Sequence, residues 1–200
     1  TNDAVFSEID LFILAGDLTD RLLTQPSLPA RQTRDWIDHE TDLAIKHDVV
    51  SLILEGTPLH DWKQPEYFVE SNRRRNNASN MHYAKTVSIV FIEKLGIHVL
   101  FVPDEAHDTC QLTEIAVKTE LALHGIEKVD VTVLHGQFRH QYPEHVRDKG
   151  MDFHSTDFYL SITRHFIFAG HIHSHTIYKR IVAHGSFERL AHGCESPKGA

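Results

Sequence analysis

Residues Ile9–Asp17 read IDLFILAGD. The short apolar run Ile9 to Ala15 has the character of a strand buried on both faces, and Gly16-Asp17 ends it abruptly. The same pattern recurs along the chain. Val49 to Leu54 (VVSLIL) runs into Glu55-Gly56. Ile97 to Val102 is closed by Pro103. Val129 to Leu134 ends at His135-Gly136, His165 to Ala169 at Gly170-His171, and Ile177 to Ala183 at His184-Gly185. Helical patterns are expected between the strands, over Thr33 to His47, Ser79 to Leu95 and Leu112 to His124. Gly96 and Gly125 stand where helices terminate. Strands alternating with helices give an α/β class with a largely parallel or mixed sheet. The stretches Leu23 to Arg31, His60 to Asn80 and Gln137 to Asp152 read as irregular, and no repeat, low-complexity tract or linker divides the chain.

The chain has 200 residues, 41% hydrophobic and 24% charged, a globular profile with enough length to bury a core unaided. It is read as a single domain over 1–200. Thr1 and the abrupt end at Ala200 are taken as the ends of a piece cut from a longer protein. Cys110 and Cys194 do not make a disulfide framework, so a reducing cytoplasm is the expected location. No apolar run approaches the length of a membrane span and no signal peptide opens the chain. A net charge of −8 argues against a surface coated in cations, but not against a local basic patch.

The chain carries 17 histidines, more than a core requires. Those at strand ends matter most, because open α/β sheets gather ligands at the carboxyl ends of their strands. Four ends supply Asp17, then His60 just beyond Gly56, then His135, then His171 and His173. Taken alone, an Asp after a strand is commonly a helix cap, and a His-x-His pair is commonly just exposed. Together they point to a metal site. Imidazole and carboxylate suit Zn, Mn, Fe and Mg, and no cysteine lies in the set, which argues against structural zinc. One carboxylate such as Asp17 can bridge two ions, and two ions can hold both ends of a phosphoryl displacement.

In order, GDLTD (Gly16 to Asp20), GTPLHD (Gly56 to Asp61), LHG (Leu134 to Gly136) and GHIH (Gly170 to His173) resemble the calcineurin-like metallophosphoesterases. The tail GSFERLAHGCESPKG (Gly185 to Gly199) and the GTPLHD variant resemble SbcD-type DNA repair exonucleases and their phage relatives. The resemblance implies a four-layer α/β/β/α sandwich, here lacking its first strand and C-terminal region. It implies two divalent ions, Mn²⁺ or Mg²⁺, DNA as substrate, an SbcC-like ATPase as partner and a homodimer in the full complex. Carried over by position, Asp17 would bridge the ions, His135 and His171 would ligate the second, and His173 the first. His60 would be the catalytic histidine, with Asp61 orienting it, and Asp20 would stand behind the ligands. No D-x-H precedes Asp17, and Thr57 and Leu59 stand where the family carries an asparagine motif. An incomplete metal shell is therefore expected.

Arg73, Arg74 and Arg75 form a basic run suited to phosphate, or simply a solvated loop. Trp62, Tyr67 and Phe68 precede it and could stack on bases or pack. His140, His145 and His154 are assigned to the surface, and His184 to the neighbourhood of the site. The leading reading is a DNA exonuclease subunit. The alternatives are a small-molecule phosphodiesterase or phosphatase of the same superfamily, favoured by the acidic charge, and a scaffold that has lost its metals.

Overall fold

The computed structural model describes residues 2–104, 107–147 and 150–186. The rest of the tail on which the exonuclease resemblance draws, with Cys194, lies outside the described residues. A short helix, α1 (Asn2–Phe6), leads into β1 (Leu11–Ala15). Then come α2 (Leu28–Lys46), β2 (Val50–Leu54), α3 (Glu66–Arg74) and β3 (Met81–Ala84). These three strands form a parallel sheet in the order β1-β2-β3. The remaining strands are β4 (Ser88–Ile92), β5 (Ile97–Val102), β6 (Val129–His135), β7 (Thr163–Gly170), β8 (Thr176–Tyr178) and β9 (Ile181–Ala183). They form a second, mixed sheet in the order β4-β5-β6-β7-β9-β8. Its centre is parallel and both edges are antiparallel hairpins. Between its strands lie α4 (Cys110–Leu123), α5 (Glu144–Arg147) and α6 (Thr156–Ile162).

Period-two alternation in β5 shows how the core is layered. Leu100 and Val102 pack with Val117 and Leu121 of α4 and with Tyr159 and Ile162 of α6. Val99 and Phe101 pack the other way, onto Val50, Leu52 and Leu54 of β2. The two sheets therefore share one apolar layer. On the far side of the smaller sheet, Ile53 meets Ile37 of α2 and Phe68 of α3. Such strands are buried on both faces, which explains their unbroken apolar sequence.

The strand expected over Ile9 to Ala15 and those expected over Val49 to Leu54, Ile97 to Val102, Val129 to Leu134 and His165 to Ala169 are present, with ends moved by a residue or two. The helix expected from Thr33 starts earlier, at Leu28, where Ser27 caps it by accepting from the Ala30 N–H at 3.3 Å. The helix expected over Ser79 to Leu95 is replaced by β3 and β4. Apart from Ser88, the run Val87 to Ile92 is β-branched or aromatic, and pairing with β5 buries Ile89 and Ile92. Gly96 terminates no helix: at φ +67° it turns the β4–β5 hairpin. The single strand expected over Ile177 to Ala183 is a hairpin, β8–β9, turned by Lys179 at φ +54°. The stretch after His60 contains α3, and the stretch after Gln137 contains α5.

Candidate metal centre at the strand ends

The carboxyl ends of β1 and β2 in one sheet and of β6 and β7 in the other come together, and small residues let them touch. A Cβ placed on Gly170 would lie 1.9 Å from the Ala15 carbonyl oxygen, and one on Gly56 would lie 2.1 Å from the Asp17 nitrogen. Any side chain at either position would force these ends apart. Asp17 leaves β1 in the left-handed region at φ +53°, which turns its carboxylate into the junction.

His135, at the end of β6, is fully buried. Its Nδ1 lies 2.7 Å from the Ala15 carbonyl oxygen. A carbonyl only accepts, so Nδ1 carries a proton and Nε2 is the nitrogen turned inward. Nε2 lies 3.2 Å from Asp17 Oδ2 and 3.3 Å from the Thr57 hydroxyl. A backbone carbonyl that fixes one imidazole nitrogen and presents the other is the usual arrangement behind a metal-ligating histidine. The His171 ring stands edge-on to His135, with centroids 5.3 Å apart. Asp17, His135 and His171 each offer one ligand atom, all within 4.8 Å of one another, and could hold a metal ion. One carboxylate oxygen and two imidazole nitrogens are a donor set suited to Mn, Fe or Zn.

Charge reinforces the cluster. Burial works to raise the Asp17 pKa, but His135, the Thr57 N–H at 2.7 Å and His60 outweigh it and hold this carboxyl well below the usual range. Burial works to lower His135, and the Asp17 carboxylate outweighs it, so the ring sits above the ordinary histidine value. His171 is lowered by desolvation and then by the charge of His135.

His60 reaches the same carboxylate from another side, Nδ1 lying 3.2 Å from Asp17 Oδ2. It is not a member of the three-residue set. His173 is also outside that set and is exposed. The expectation that Asp61 orients His60 is corrected. The buried Asp61 carboxylate accepts from the backbone N–H groups of Gly56 at 2.8 Å, Asp17 at 2.8 Å and Leu18 at 2.7 Å. It ties the β1 and β2 ends together and thereby positions Asp17. Burial pushes its pKa up to about 6 against the pull of those amides. Asp20 is exposed and faces Arg21 at 3.4 Å. Glu55 accepts from the Tyr83 hydroxyl and the Lys63 N–H.

The basic run is not a loop over the site. Arg73 and Arg74 close α3, and Arg75 follows as its C-cap. Arg74 pairs with Asp38 at 2.5 Å, and Arg75 binds both Asp38 and Asp42 of α2. Of these three arginines, only Arg73 has no ion pair among the described residues, and it is exposed. The three aromatics separate as well. Phe68 is buried in the core, Tyr67 lies under the Arg34 guanidinium at 4.2 Å, and Trp62 is exposed.

The surface assignment of His154 is corrected: it is buried against Tyr159 and Gly136, and desolvation pushes it down to about 4. His140 is half-buried and stacks on Tyr178 at 4.3 Å, while His145 is exposed. His184, directly after β9, is exposed, and its pKa is lowered by desolvation and then by the charge of His135. Sequence reasoning missed Asp104, just past β5, whose charge acts on His135, His154 and His171. The signal was there, a carboxylate directly after a buried strand and Pro103. No helix among the described residues is long and apolar enough to cross a membrane. The sequence matches no protein-family model and no curated protein sequence.

Proposed function

We propose that this chain is a metal-dependent phosphodiesterase that cleaves DNA, built on the calcineurin-like metallophosphoesterase plan. The observation that carries this reading is the convergence of Asp17, His135 and His171, with His60 on the same carboxylate. The packing of helix, sheet, sheet and helix fits the four-layer sandwich of that plan. The ion is read as Mn²⁺, with Mg²⁺ as the substitute, and a bound divalent ion supplies Lewis acidity to the phosphoryl oxygens. A second ion would need donors beyond the three gathered here. The resemblance further suggests an exonuclease subunit acting as a homodimer with an SbcC-like ATPase.

The chain's own residues have separable tasks in this reading. Asp17, His135 and His171 hold the ion. Asp61 fixes the two strand ends through three backbone amides. His60 has Nδ1 engaged by Asp17, which leaves Nε2 to give a proton to the departing oxygen. The test is hydrolysis of linear DNA with Mn²⁺, beside a bis-aryl phosphate. Metal-dependent cleavage of DNA supports the reading, and no metal-dependent cleavage of either substrate overturns it.

A second reading, a small-molecule phosphodiesterase, is favoured by two observations. The net charge is −8, and Arg74 and Arg75 are already neutralised by Asp38 and Asp42. DNA affinity draws on free cations. Cleavage of the bis-aryl phosphate without cleavage of DNA selects this second reading.

A further inference from the structure

Two residues after His60, Trp62 is 62% exposed, and Leu59, on the other side of His60, is 76% exposed. The turn that carries them is not loose. The His60 and Asp61 N–H groups both donate to the Thr57 carbonyl at 2.8 Å. The His60 carbonyl accepts from the Thr19 hydroxyl and the Gln64 amide, each at 3.0 Å. Asp61 anchors the turn to β1.

Within it Trp62 holds φ +25° and Lys63 φ +65°. A bulky residue at positive φ is an outlier that persists only where its surroundings over-determine it, and such strain clusters at functional sites. A large indole left in water forfeits its burial energy as well. The Lys63 ammonium stands 6.0 Å from the Trp62 ring centroid, so a cation accompanies the aromatic face. The other tryptophan, Trp36, is spent on packing, edge-on to Phe68 at 5.9 Å.

We infer that Trp62 is a stacking platform for an unpaired nucleobase of the substrate, beside the phosphodiester held near Asp17 and His60. This rests on the phosphodiesterase reading and narrows it to a single-stranded or frayed nucleic acid end. A flat apolar ring next to a phosphate site recognises bases without regard to sequence, because every base has a π-face. Anything that covers Trp62 lies in the same turn as His60. A bound partner there would obstruct the site, whereas a base belongs to the molecule being cleaved.

The chain has two tryptophans, so Trp36→Phe leaves Trp62 as the sole indole emitter. In that variant without metal, a short single-stranded oligothymidylate should quench the emission, and the same backbone with abasic sites should not. With Mn²⁺, Trp62→Ala should raise KM for the base-bearing strand roughly ten- to a hundredfold, leave the abasic strand unchanged, and be partly rescued by Trp62→Phe. Emission unchanged up to millimolar oligothymidylate overturns the inference. So does an equal loss on both strands. Quenching without hydrolysis under any metal supports the stacking role and sinks the phosphodiesterase reading instead.

Discussion

Asp17 is the residue on which the others depend, since His135, His60 and the Thr57 N–H all bear on its carboxylate. In the proposed function His60 and His135 nevertheless have different duties. His60→Ala should cut turnover by ~10²–10⁴-fold while bound metal stays near the wild-type level, because a proton donor is lost and no ligand is. Elemental analysis beside kinetics checks this, and matched losses of metal and activity would make His60 a ligand. Asp61→Asn should act through stability. One amide oxygen cannot serve three N–H donors, and the new NH₂ faces amides that also donate. A loss of about 2–4 kcal/mol in chemical unfolding is expected, with weaker metal uptake. The sequence made these residues visible as a set because each follows a buried run. The task of Asp61 was not visible, because its amide partners at Asp17 and Leu18 are remote in sequence.

At the scale of elements, α2 and α3 are joined by Arg74 and Arg75 on Asp38 and Asp42. Arg75→Ala should destabilise the protein by about 1 kcal/mol, discounted for partial solvent exposure, and leave the salt dependence of DNA binding unchanged. A flatter log–log slope after that substitution would return Arg75 to the phosphate-binding role expected from sequence.

The helix–strand exchange at β3 and β4 has a related cause. Local apolar spacing over residues 79–95 suits a helix, but pairing of β3 with β2 and of β4 with β5 decides the outcome, and neither pairing is written in local periodicity. The strands buried on both faces were legible because their apolar runs need no partner to be recognised.

Across the whole molecule, the candidate site lies at the junction of the two sheets. His154 lies beside it, buried and neutral, with its folded pKa near 4 against an unfolded value of about 6.5. Protons therefore bind the unfolded chain more tightly over that window. The contribution of His154 is intact above about pH 6.5 and is lost as pH falls through about 4, amounting to about 3 kcal/mol at full protonation. His154→Gln should flatten the acid side of the stability profile relative to the parent protein, as read by denaturant unfolding at a series of pH values. Superimposable pH profiles would contradict a buried neutral ring.

Every other assignment depends on the metal centre proposed at Asp17, His135 and His171. Anomalous scattering from crystals grown with Mn²⁺ tests it most directly. The expected result is a peak bonded to an Asp17 carboxylate oxygen, His135 Nε2 and a His171 nitrogen, lost in Asp17→Asn crystals. Crystals saturated with Mn²⁺ that show no peak among these three side chains would contradict it.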